Sequence, residues 1–182
     1  MIDIKGLSVS FGENAVLQSV SVTLHPGKIY GIVGLNGAGK TTFFNLLAKL
    51  IKPVAGSIQL NNNPISIRDS AYLETVNYFY SGITGNEYLK IFRNTNKEFS
   101  LQVLQQYFKL PLDELIEHYS TGMKKKLGFM ALLLQDNDVF ILDEPFNGVD
   151  LKGCILMKRL IRQLKAKEKT VIISSHLIAS LR

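Results

Sequence analysis

The octapeptide Gly34-Leu35-Asn36-Gly37-Ala38-Gly39-Lys40-Thr41 could do chemistry on its own terms. Glycines at this spacing let the backbone curl until several N–H groups point inward at phosphate oxygens. A helix starting directly afterwards adds the positive end of its dipole. The pattern G-x-x-x-x-G-K-[ST] then places Lys40 within reach of the β- and γ-phosphates of a nucleotide and the Thr41 hydroxyl where it can ligate Mg²⁺. The expected phosphate and nucleotide contacts are Gly34, Asn36, Gly37, Ala38, Gly39, Lys40, Thr41 and Thr42.

A second pair completes such a site. Asp143-Glu144 follows the apolar run Val139-Phe140-Ile141-Leu142. An acid at the C-terminal end of a buried parallel strand faces the crevice where open α/β sheets bind ligands. Asp143 is expected to hold Mg²⁺ through water. Glu144 is expected to take a proton from the attacking water or to orient it.

These residues need elements to hold them. Ile29 to Val33 is continuously apolar and reads as a strand buried on both faces. Phe43, Phe44, Leu46, Leu47 and Leu50 recur at helical spacing over Thr41 to Leu50, with Pro53 beyond. Alternating residues predict strands over Ile2–Val9 and Val20–Leu24, and further strands over Ser57–Leu60 and Ile65–Leu73. The middle of the chain turns helical. Thr84-Gly85-Asn86-Glu87 is a capping box opening a helix to about Phe92. Others are expected over Ser100–Phe108, Leu112–His118 and Ser120–Gln135. The chain then returns to α/β, with strands at Val139–Leu142 and Thr170–Ser174. Between them lies a helix whose apolar face is Leu151, Ile155, Leu156, Leu160, Ile161 and Leu164.

Composition narrows the class. The 182 residues hold 46% apolar and 20% charged side chains, ordinary values for one domain with its own core. The single cysteine, Cys154, excludes an internal disulfide and a multi-cysteine metal site within one chain. No apolar run approaches the roughly 18–20 residues of a membrane span, and the N-terminus has no secretory pattern. A soluble, cytosolic chain is therefore expected. Lys and Arg number 21 against 15 Asp and Glu, a net charge of +6. That excess lies within Lys152 to Lys169 and reads as the wet face of an amphipathic helix. Lys124-Lys125-Lys126 adds a second basic run. Without interleaved aromatics or a reading motif, neither makes a nucleic-acid footprint.

In this order the motifs resemble the ATP-binding subunit of an ABC transporter over most of the chain, from Phe11 to His176. Leu142-Asp143-Glu144-Pro145 resembles the Walker B strand, and Asn147-Gly148-Val149-Asp150 the D-loop. His176 resembles the switch histidine that contacts the γ-phosphate. Phe11 resembles the aromatic that stacks on adenine. Tyr119-Ser120-Thr121-Gly122-Met123 stands in the place of the LSGGQ signature, with Ser120 and Gly122 kept and Thr121 and Met123 departing from it. In the family this segment contacts ATP held by a partner subunit. The Q-loop glutamine is replaced by Glu74 or Thr75, either of which could approach Mg²⁺ or the lytic water.

The resemblance implies an α/β fold: a P-loop NTPase core with a mainly parallel sheet and an N-terminal antiparallel β portion, at 1–80 and 136–182. A helical signature subdomain is inserted at 81–135. It implies a Mg²⁺-dependent ATPase, active as a homo- or heterodimer with ATP sandwiched between two chains. It would power a separate membrane permease, most resembling exporters, from the cytoplasmic face. Two other readings stay open: a non-transport ABC ATPase acting on nucleic acid or ribosomes, and a catalytically weak regulatory ATP-binder. Cassettes of this kind continue beyond the equivalent of Arg182, so a fragment with an exposed sheet edge is expected.

Overall fold

The computed structural model describes residues 1–92 and 99–175. In chain order they form β1 (Ile2–Phe11), β2 (Asn14–Leu24), β3 (Ile29–Val33), α1 (Lys40–Leu47), β4 (Ala55–Leu60), β5 (Asn63–Pro64) and β6 (Ser70–Leu73). There follow α2 (Gly85–Ile91), α3 (Leu101–Phe108), a single 3-10 turn at Ile116–His118, α4 (Thr121–Leu133), β7 (Val139–Leu142), α5 (Leu151–Ala166) and β8 (Thr170–Ser175). They group into two units. The first comprises Met1–Tyr72, Asn137–Asp143 and the segment from Gln163 onward; the second comprises Leu73–Asp136 and Glu144–Arg162.

The N-terminal sheet has the order β2-β1-β4-β5. Its pairs are antiparallel, with Ile4 opposite Val22 on one side and Ile58 on the other. The other sheet has the order β3-β8-β7-β6, and β8 runs parallel to both β3 and β7. Ile2, Ile4 and Leu7 of β1, Phe44, Leu46 and Leu47 of α1, and Val139, Ile141 and Ile172 of the parallel sheet share one apolar core. Each such side chain contributes about 1.5–3 kcal/mol when fully buried. The helical spacing of α1 thus points the start of that helix, and the loop before it, at the ends of the parallel strands.

Within the second unit, Thr84 caps α2 and the capping box is complete, with Glu87 reaching back to the Thr84 amide. Ser100 caps α3 and Ser120 caps α4. Phe108 and Phe129 join α3 to α4 through an edge-on ring contact.

Four expectations are corrected. Ile29–Val33 is not buried on both faces: Ile29 and Val33 are 37% and 46% exposed. Among the described residues β3 is an edge strand paired only with β8. Ile65–Leu73 is not one strand. Asp69 accepts the Ser66 amide on its carboxylate and Ser66 accepts the Asp69 amide on its carbonyl, so the short polar side chains close a turn before β6. Leu112–His118 yields only the 3-10 turn. Its backbone is spent on the start of α2: Leu112 and Glu114 carbonyls accept from Asn86 and Gly85, and the Ile116 amide donates to Ile83. On α5, Met157, Leu160, Ile161 and Leu164 are buried, but Leu151 and Ile155 are 76% and 61% exposed. No helix among the described residues is long and apolar enough to cross a membrane.

Candidate active site

The glycine loop is built to receive phosphate. Gly39 caps α1 in the left-handed region, at φ 84°, and no side chain caps that helix start. A Cβ at Gly39 would meet Val16 Cγ1 at 3.1 Å and Leu17 Cδ2 at 3.3 Å, so only glycine lets the β1–β2 hairpin pack this closely against the loop. With no acidic side chain in its first turn, α1 keeps its dipole unopposed for an anion. Lys40 Nζ donates to the carbonyls of Gly34 and Leu35 at 2.7 and 3.0 Å. The ammonium is therefore held over the curl of the loop, inside the region that phosphate oxygens would enter.

The Thr41 hydroxyl donates to Asp143 Oδ2 at 2.8 Å. Asp143 is 1% exposed and also accepts a hydrogen bond from the Ser174 hydroxyl on Oδ1. Thr41, at the helix start, and Asp143, at the end of β7, lie 102 positions apart in sequence and meet here. A hydroxyl and a carboxylate converging beside a phosphate loop are hard oxygen donors that suit Mg²⁺.

Phe11 ends β1 at the hairpin turn and is 55% exposed, so its ring is not spent on the core. Glu144 directly follows Asp143 and sits at φ 47°, the left-handed region, just before Pro145. Non-glycine residues held there store roughly 1–3 kcal/mol and concentrate at functional loops. His176 lies outside the described residues.

The second unit holds the signature-like segment. Ser120 Oγ accepts the Met123 amide at 3.2 Å, which leaves its proton available to donate. Gly122 is pressed against the carbonyl of Gly148, so a Cβ at 122 would overlap backbone. Lys126 pairs with Asp150, and this bond holds the Asp150 carboxyl below its ordinary range. Gly122 and Asp150 thus belong to one tightly packed corner. Glu74 is half-buried and Thr75 exposed.

Two features escaped the sequence reading. Ser174 was read only as strand, yet it is the second donor to Asp143. Lys125 belongs to the second basic run, yet it is 3% exposed. Its signal was legible: Gly122, Lys125, Phe129 and Leu132 form one stripe at helical spacing, and all are buried. Cys154 is partly buried, donates to the Val149 carbonyl at 3.5 Å, and has its thiol pushed up by burial first and by Asp150 second.

The sequence pattern of the family described as ABC transporter matches residues 17–147. The bacitracin transport ATP-binding protein BcrA of Enterococcus faecalis is 30% identical over 194 residues, an alignment covering the whole chain and 63% of that protein. The lantibiotic transport ATP-binding protein SrtF of Streptococcus pyogenes is 28% identical over 188 residues, covering the whole chain and 82% of that protein. A solved ATP-binding subunit of an ABC transporter superposes with a TM-score of 0.92 at 27% identity, covering 99% of this chain and 81% of that one.

Proposed function

This chain belongs to the ABC transporter family of ATP-binding proteins, and on that premise we propose that it binds and hydrolyses ATP as half of a nucleotide-sandwich dimer driving an export permease. The carrying observation is the convergence of Thr41 and Asp143 beside an uncapped helix start that follows a glycine loop. The names of the relatives BcrA and SrtF support a peptide antibiotic as the transported class.

Mg²⁺ would be held by the Thr41 hydroxyl and by Asp143 through water, and when bound it supplies positive charge beside the β- and γ-phosphate oxygens. The Lys40 ammonium exchanges the carbonyls of Gly34 and Leu35 for phosphate oxygens. Glu144 accepts the proton of the attacking water as its oxygen bonds to the γ-phosphorus. The bond from that phosphorus to the β-phosphate oxygen breaks, leaving ADP and inorganic phosphate. Phe11 stacks on adenine and His176 contacts the γ-phosphate. Ser120 and Gly122 reach ATP held by the second subunit, with Asp150 beside them. The core at 1–80 and 136–182 carries the phosphate loop. The helical subdomain at 81–135, with the Glu74–Thr75 segment, faces the permease on the cytoplasmic side of the membrane.

The test is Glu144→Gln with ATP and Mg²⁺. Turnover should fall roughly 10²–10⁴-fold, the contribution of a positioned base, while ATP binding persists and a dimer accumulates on size-exclusion chromatography. Unchanged turnover overturns the assignment of the base. Wild-type chain with no turnover even at high protein concentration would point to a regulatory ATP-binder. Stimulation by RNA or DNA, and not by a permease, would point to the nucleic-acid reading.

A further inference from the structure

The three consecutive lysines at the start of α4 were left without a role, and two of them are not solvated. Lys125 lies on the buried stripe of α4 and is 3% exposed. Its Nζ donates to the backbone carbonyls of Glu74 and Thr75, both at 2.8 Å. Lys126, about 100° further round the helix, pairs with Asp150. Its stem fits because residue 153 is glycine: a Cβ there would come within 2.6 Å of Lys126 Cε and 2.8 Å of Asp150 Oδ1. One turn earlier, Gly122 abuts the Gly148 carbonyl. The first two turns of α4 are thus bonded to the 74–75 segment through one lysine and to the 148–150 loop through the next.

A buried ammonium is tolerated only where hydrogen-bond acceptors replace its water. The acceptors here are main-chain carbonyls, so the tie holds the path of the chain at 74–75 whatever side chains stand there. This matters in a sequence where neither Glu74 nor Thr75 is the glutamine of the Q-loop pattern. We propose that Lys125 is a positioning residue that fixes the Glu74–Thr75 backbone to α4. With the Lys126–Asp150 pair, it makes the first two turns of α4 a strut holding the 74–75 and 148–150 loops in register. The kinetic consequence rests on the proposed ATPase reading; the structural consequence does not.

The experiment compares Lys125→Met, Lys125→Arg and the control Lys124→Met by limited chymotrypsin proteolysis and ATPase kinetics. Tyr78 and Tyr80 are exposed beside the tied backbone, so in Lys125→Met cleavage at 78–80 should be at least about tenfold faster while cleavage at Phe43 and Phe44 of α1 stays unchanged, the signature of a local opening. Lys125→Arg, which keeps charge and donors, should recover most of the resistance, and Lys124→Met should match wild type. With turnover, kcat should drop about tenfold in Lys125→Met while KM for ATP stays within about twofold, because phosphate binding is elsewhere. If Lys125→Met does not fold, Lys125→Gln carries the same measurements. Unchanged cleavage at 78–80 in a folded variant overturns the strut. So does an equal rise in cleavage throughout the chain. If wild type has no turnover, the ATPase reading fails and the proteolysis result alone decides the role of Lys125.

Discussion

Ser174→Ala removes a single oxygen and should reveal how Asp143 is aimed. In the folded chain Asp143 is 1% and Ser174 0% exposed, so water cannot replace the lost donor. A hydrogen bond to a charged group is worth about 1.5–3 kcal/mol. Asp143 keeps its bond from Thr41 at 2.8 Å, which argues for the lower part of that range, about 1.5–2 kcal/mol. At about 2–4 °C per kcal/mol for a chain of this size, the melting temperature should fall by about 3–8 °C. Ser174→Thr, which keeps the hydroxyl, should fall less. Differential scanning fluorimetry reads the shift. A double-mutant cycle with Asp143→Ala isolates the pair and should return a coupling energy of at least about 0.5 kcal/mol. Mn²⁺ titration in the presence of a nucleotide should show affinity lowered about tenfold, as expected when a supporting hydrogen bond to a metal ligand is lost. A melting temperature within about 1 °C of wild type, or a coupling energy of zero, would mean that Ser174 does not hold Asp143.

Gly122→Ala should lower stability by about 1–3 kcal/mol, because the new methyl overlaps a backbone carbonyl that cannot swing aside. Gly128→Ala, whose Cβ would meet the side-chain amide of Asn77 at 2.5 Å, should cost less; equal melting shifts would contradict this view of the signature corner. Cys154 should be alkylated by iodoacetamide more slowly than an unstructured cysteine at pH 8. Its thiol is pushed up, so less of it is thiolate there, and the rate should climb only at higher pH and recover in urea. A peptide-like rate at pH 8 would rule that out.

The phosphate loop, the acid pair and the capped helices were legible because each depends on local rules. Glycine permits the left-handed cap at residue 39, a hydroxyl at Thr84, Ser100 or Ser120 satisfies nearby amides, and apolar spacing decides which helix face is buried. Two of the misreadings turned on partners distant in sequence, whereas the turn that cuts Ile65–Leu73 short is closed locally by Ser66 and Asp69. Leu112–Glu114 has the pattern of a helix start, but its carbonyls are taken by Gly85 and Asn86. Ile29–Val33 is apolar enough for a central strand, but its place in the sheet is decided by pairing order, which composition does not encode.

The order of the motifs identified the family, because phosphate recognition is written in contiguous residues at strict spacing. Only the tertiary structure decided that Ser174 donates to Asp143 and that Lys125 is tied to the carbonyls of Glu74 and Thr75 inside the protein. A serine on a strand carries no mark of its partner, and the helical stripe that marks Lys125 as buried does not say which carbonyls receive its ammonium. Their roles arise because the chain brings a carboxylate, or a pair of carbonyls, from 31 or about 50 positions away into a place that water cannot reach.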